Sequence, residues 1–130
     1  NGFPDNVWMG TSIGNQAAAE ERIPQLLEVP APIRWLSCEP MLGPIDVLGA
    51  MARTPFTIAG QPFNKWLQWI VCGGESGGNR RLSDLEWYTS LYRQCVDADI
   101  AFWMKQDTAY RSGKQGRIPD ALWNVKQFPR

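Results

Sequence analysis

The chain has 130 residues, 44% of them hydrophobic and 20% charged, the balance of a single ordinary globular domain over residues 1–130. Lys and Arg number 13 and Asp and Glu number 13, so the zero formal charge excludes the overall basic excess of a duplex-binding protein. His is absent, which excludes Ser-His-Asp and Cys-His catalysis and any His-ligated metal within the chain.

The first apolar segment, residues 7–12 (VWMGTS), reads as a strand and runs out into the polar stretch Thr11-Ser12-Ile13-Gly14-Asn15-Gln16. Asn15 can cap a helix from Gln16, with Glu20 and Glu21 in its early turns. Pro24 predicts a break over residues 22–24 and a second short helix carrying Leu26 and Leu27. The second strand, Ile33–Cys38 (IRWLSC), exits at Ser37-Cys38-Glu39-Pro40. Residues 43–65 are least legible: residues 45–52 suit a short helix, and residues 54–63 suit a hairpin or surface loop. A third strand over residues 69–72 (WIVC) exits into Gly73-Gly74-Glu75-Ser76-Gly77-Gly78. Ser83-Asp84-Leu85-Glu86 is a capping box, and Tyr88, Leu91, Tyr92, Cys95 and Val96 then fall on one helical face. The fourth strand, residues 101–105 (AFWMK), exits at Lys105-Gln106-Asp107, and the polar tail 107–130 wraps the surface with Leu122 and Trp123 as anchors.

None of the four strands alternates cleanly, which suits cover on both faces, as in parallel sheets. Strands alternating with helices predict an α/β fold with right-handed crossovers. A complete eight-fold β/α barrel takes about 250 residues. The chain therefore reads as an open sheet of about four parallel strands with flanking helices, as half of a barrel, or as half-barrels that pair. Sites in such folds form at the C-terminal strand ends, and all four exits here are polar.

Among those exits, Glu39 and Glu75 are candidate catalytic groups, since two strand-end carboxylates can serve glycosidic hydrolysis as acid and nucleophile. Gly73, Gly74 and Ser76 surround Glu75 in a loop whose amides can approach an anion; a tight turn explains it equally. Lys105, Arg111, Lys114 and Arg117, with Arg80 and Arg81, compose a local basic rim for a small anionic ligand or a single nucleic-acid strand, unless they line a solvated loop. Cys38, Cys72 and Cys95 are too scattered for a zinc signature and suit buried packing. The 7 Trp are core filling or a contact face. No bilayer-length apolar run and no signal sequence are visible, so a cytoplasmic protein without a membrane partner is expected.

The blocks Ser12-Ile13-Gly14-Asn15-Gln16, Ser37-Cys38-Glu39-Pro40-Met41-Leu42-Gly43-Pro44 and Gly73-Gly74-Glu75-Ser76-Gly77 resemble the signature blocks of a phage-associated family of unknown function that is similar to radical S-adenosylmethionine (SAM) barrels. Further matches run through Arg22-Ile23-Pro24, Gln94-Cys95, residues 102–106, Trp123 and Phe128-Pro129. The resemblance implies the C-terminal half of a larger barrel, whose N-terminal half carries a close-spaced three-Cys motif for a [4Fe–4S] cluster with SAM on its open iron. No cofactor is expected in this chain by itself. The first block departs from the family pattern, which has an acidic residue where Gly14 stands. Carried over residue by residue, Glu39 and Glu75 face the barrel mouth, with Ser12, Asn15, Ser37, Ser76, Lys105 and Gln106 around them.

Three readings follow: the C-terminal half of a radical SAM-like protein, inactive without its partner half; a non-enzymatic module that binds a partner or a second copy; and a small hydrolase using Glu39 and Glu75.

Overall fold

The computed structural model describes residues 2–54 and 60–129. It is an α/β fold whose elements run β1 (Trp8–Ser12), α1 (Gln16–Leu27), β2 (Ile33–Cys38), α2 (Val47–Ala52), a 3-10 turn (Phe63–Lys65), β3 (Trp69–Gly73), α3 (Leu85–Ala98), β4 (Ala101–Gln106) and α4 (Asp120–Trp123). The four strands are all parallel and stand in the order β1-β2-β3-β4. With strands added in sequence order by crossovers of one hand, successive helices fall on the same face. Accordingly α1 packs on α2 and α2 on α3, and alternate strand residues beneath them are fully buried: Leu36, Cys38, Ile70, Cys72, Phe102 and Met104.

The expected cover on both faces is therefore corrected, since α1, α2 and α3 cover only one. The opposite face carries Trp8, Trp35, Trp69 and Trp103, which read in sequence as core filling or a contact face. Trp69 is the hub, with ring centroids 5.8 Å from Trp8, 5.4 Å from Trp35 and 5.6 Å from Phe128 of the tail. Trp66, Trp87 and Trp123 pack instead against the core under the helices. Gly10 makes the flat packing of Trp35 feasible: a Cβ there would stand 2.4 Å from the Trp35 ring.

The expected break at Pro24 does not occur, because α1 continues through it to Leu27. Proline in a helix interior costs about 3 kcal/mol. Burying Ile23, Leu26 and Leu27 on the sheet contributes about 1.5–3 kcal/mol each, which outweighs that cost. Asn15 caps α1 as expected, accepting from the Ala18 amide at 2.8 Å. α2 begins two residues later than residue 45 because Asp46 is its cap. Gln94 of α3 locks that end, accepting from the Val47 amide at 2.8 Å and donating to the Ile45 carbonyl at 2.8 Å.

The capping box is displaced by one residue. Asp84 is the cap of α3 and accepts from the Glu86 amide, while the Ser83 hydroxyl donates to the Met41 carbonyl at 2.6 Å. Val96 is 60% exposed rather than on the apolar face, since it lies about 80° around the helix from Tyr88 at 100° per residue. Half of the loop expected over residues 54–63, residues 55–59, lies outside the described residues.

The tail does anchor through buried Leu122. It then lies antiparallel along the outer edge of β4: the Met104 amide donates to Val125 and the Gln127 amide to Phe102, both at 2.9 Å, with Trp103 bridged to Lys126. The outer edge of β1 has no strand beside it among the described residues.

Candidate functional site

Strand parity and register decide which exits meet. Ser12, Ser37, Val71 and Trp103 form one row across the Trp-bearing face. One step toward the C-terminal ends, Glu39, Gly73 and Lys105 come together. Lys105 Nζ donates to Glu39 Oε1 at 2.9 Å, an ion pair that spans from β2 to β4 over β3. Gly73 permits it, since a Cβ there would stand 3.0 Å from Glu39 Oε2. The Glu39 side chain is 19% exposed and Lys105 48%, so the pair sits at a half-open mouth above the Trp rings.

The other predicted residues serve other ends. Asn15 is occupied as a helix cap. Gln106 is buried, donates to the Gly74 carbonyl at 2.8 Å and accepts from the Gly113 amide at 2.8 Å, which ties the exits of β3 and β4 together. Ser76 bridges to Ala109, and the Gly77 amide donates to the carbonyls of Ala109 and Tyr110. The glycine-rich loop is thus zipped to the neighbouring loop. It does not lead straight into a helix, because α3 starts only at Leu85.

Glu75 is claimed by Arg81, whose backbone amide, Nε and Nη2 donate to it at 2.8, 2.9 and 2.8 Å. The Arg81 side chain and then its amide hold the Glu75 carboxyl down to about 2. An ionised Glu75 cannot be the general acid of a carboxylate pair at neutral pH, and its partner differs from that of Glu39. Replacing Arg81 with Ala is expected to return the Glu75 carboxyl toward the ordinary range near 4.3; a carboxyl carbon chemical shift still titrating near pH 2 in that variant refutes the assignment.

Sequence reasoning missed the buried centre beneath these loops. Asp107 is 1% exposed and accepts from Arg117 Nη2, Arg117 Nε and the Arg117 amide at 2.8–2.9 Å, from the Thr108 amide at 2.7 Å and from the Tyr88 hydroxyl at 3.1 Å. Burial alone would raise its carboxyl, but these donors, Arg117 first, outweigh burial and hold it below its ordinary value. Arg117 also donates to the Ser83 carbonyl at 2.7 Å. An acidic residue directly after an apolar strand was the available signal, yet its partner lies ten residues on in an unpatterned loop.

The three thiols suit the buried packing expected of them and not cluster ligation. Cys38, Cys72 and Cys95 are buried, Cys38 and Cys72 on the helix-covered face of the sheet. Burial pushes all three thiols up, that of Cys95 to about 12, whereas cluster ligands are thiolates. Among the described residues no three His, Cys, Asp or Glu side chains are grouped to hold a metal.

A family profile described as a protein of unknown function, DUF5131, matches residues 1–124. The chain belongs to DUF5131. No curated protein and no solved structure matches it. The mouth of this DUF5131 chain is thus defined by its own geometry: one ion pair on the uncovered face, a row of two serines behind it, and a floor of Trp. Among the described residues no helix is long and apolar enough to cross a membrane.

Proposed function

We propose that this chain forms part of an open β/α barrel of radical SAM type, and that Glu39 and Lys105 form one wall of its ligand site. The carrying observation is the Glu39–Lys105 pair at the C-terminal strand ends, on the face that the helices leave uncovered. The tail closes the outer edge of β4, so on this reading the remaining strands pair with β1 and the barrel stays open at β4. The signature blocks suggest a phage-associated protein on the same reading.

A zwitterionic ligand suits this wall. Its ammonium takes Glu39 and its carboxylate takes Lys105, so each charge exchanges one partner for another and none is stranded. Ser12 and Ser37 offer hydroxyls one row deeper, and the indoles of Trp35 and Trp69 supply an apolar floor. The resemblance makes SAM, which carries an amino-acid end, the ligand of choice. None of the chain's cysteines serves a cluster in this reading, and no reaction step is assigned to the chain alone.

Trp fluorescence tests it, because Trp103 lies one row below Lys105 and Trp35 and Trp69 lie one row further down the same face. Titration with SAM is expected to give a saturable change, with affinity falling at least tenfold in Glu39→Gln and in Lys105→Met at unchanged circular dichroism. Absence of saturation at millimolar SAM, or parental affinity in both variants, sinks the reading.

A further inference from the structure

A second surface is lined by neither Glu39 nor Lys105, and its chemistry is different. The exit loops of β3 and β4 enclose an open groove of about 630 Å³ lined by Arg80, Leu82, Thr108, Tyr110 and Arg117. Six large hydrophobic side chains are strongly exposed among the described residues, and two of them, Leu82 and Tyr110 at 69% each, are here. The other four lie on β1 and its approach, on α3 or in the tail, so this pair is not an extension of the Trp face.

The groove has a rigid base. Gly77 donates to the Ala109 and Tyr110 carbonyls at 3.2 and 2.9 Å, and Arg80 Nη1 donates to the Gly77 carbonyl at 3.1 Å. Arg80 and the Tyr110 backbone are thus fixed through one residue. Charge is distributed to favour an anion. Arg81 and Arg117 are neutralised by Glu75 and Asp107, but Arg80, Arg111 and Lys114 stand exposed in no ion pair among the described residues. An exposed ring, an exposed leucine and unpaired cations on a preformed base match a ligand with a flat apolar part and a phosphate.

We infer that this groove binds a nucleoside phosphate, with the base against Tyr110 and Leu82 and the phosphate on Arg80. Arg111 and Lys114, on the loop that Tyr110 begins, supply charge for further phosphates. The ligand is a free nucleotide or a unit of a single strand, and the two share this recognition chemistry. The inference does not rest on the barrel reading, because it uses neither β1 nor the mouth.

Two ligands separate the sources: AMP, followed by calorimetry, and a labelled eight-nucleotide oligoadenylate, followed by fluorescence anisotropy at two salt concentrations. Tyr110→Ala is expected to weaken binding about tenfold through lost stacking, and Arg80→Ala by a similar factor at low salt. Both side chains are exposed, so circular dichroism should remain that of the parent chain. Arg93→Ala removes the same charge from the exposed side of α3 and is expected to change nothing. AMP binding as tightly as the oligonucleotide supports the groove with a free nucleotide as its ligand. Oligonucleotide binding that is much tighter and falls with salt supports the groove with a strand as its ligand. The inference is overturned if neither ligand binds, if Tyr110→Ala binds as the parent does, or if Arg93→Ala weakens binding as much as Arg80→Ala.

Discussion

Replacing Asp107 with Ala lowers the unfolding free energy by about 2–4 kcal/mol. Removing one partner of a buried ion pair typically costs about 3–5 kcal/mol, and the partial exposure of Arg117 returns some of that to solvent. The carboxylate also holds the Thr108 amide and the Tyr88 hydroxyl, which are left without their acceptor. For a domain of this length the change corresponds to a fall in Tm of about 10 °C. The pH dependence follows from the same contacts. The carboxyl is held lower in the folded state than the about 3.9 of an unfolded chain, so its contribution is complete above that value. It is lost as pH falls through the folded value. Urea denaturation at pH 7 and pH 3 is expected to show a steeper acid loss in the parent than in Asp107→Ala. Equal losses in the two chains would mean that the Arg117 contacts do not hold the ionised form.

Trp69→Ala is expected to cost about 2–4 kcal/mol, toward the low side of a fully buried Trp truncation because the ring is only half-buried. The indole joins Trp8, Trp35 and Phe128, and its Nε1 donates to the Gln127 carbonyl at 2.8 Å. The tail therefore loses a ring contact and a hydrogen bond together. Amide exchange at Gln127, whose N–H donates to Phe102, should accelerate more than exchange in β2 or β3. Trp69→Phe keeps an aromatic ring and loses the indole donor, and about 1 kcal/mol is expected for it. Unchanged protection of the Gln127 amide in Trp69→Ala would show that the tail is held by its pairing with β4 alone.

Local sequence placed the four strands within a residue or two, because short apolar runs ended by Gly or polar residues leave little else for the chain to do. Asn15 was legible as a cap because its side chain acts on an amide three residues away. Pro24 and Ser83 were misjudged for a different reason. Each follows a local rule, and each is overridden by a contact with a distant part of the chain: the sheet surface beneath Ile23, Leu26 and Leu27, and the carbonyl of Met41. The candidate site was legible as a set of polar strand exits but not as an arrangement. Glu39 and Glu75 looked alike, yet Glu39 faces Lys105 and Glu75 is folded back on Arg81.

The sequence by itself determined the four parallel strands, the order of helices between them and the polar character of the C-terminal ends, since these follow from apolar runs, caps and turns read within a few residues. Tertiary structure alone decided that one sheet face carries no helix among the described residues, that Lys105 meets Glu39 across β3, and that Asp107 is buried under Arg117. Those outcomes depend on strand register and on loops far apart in sequence, and a one-residue change of register turns every side chain of a strand to the other face.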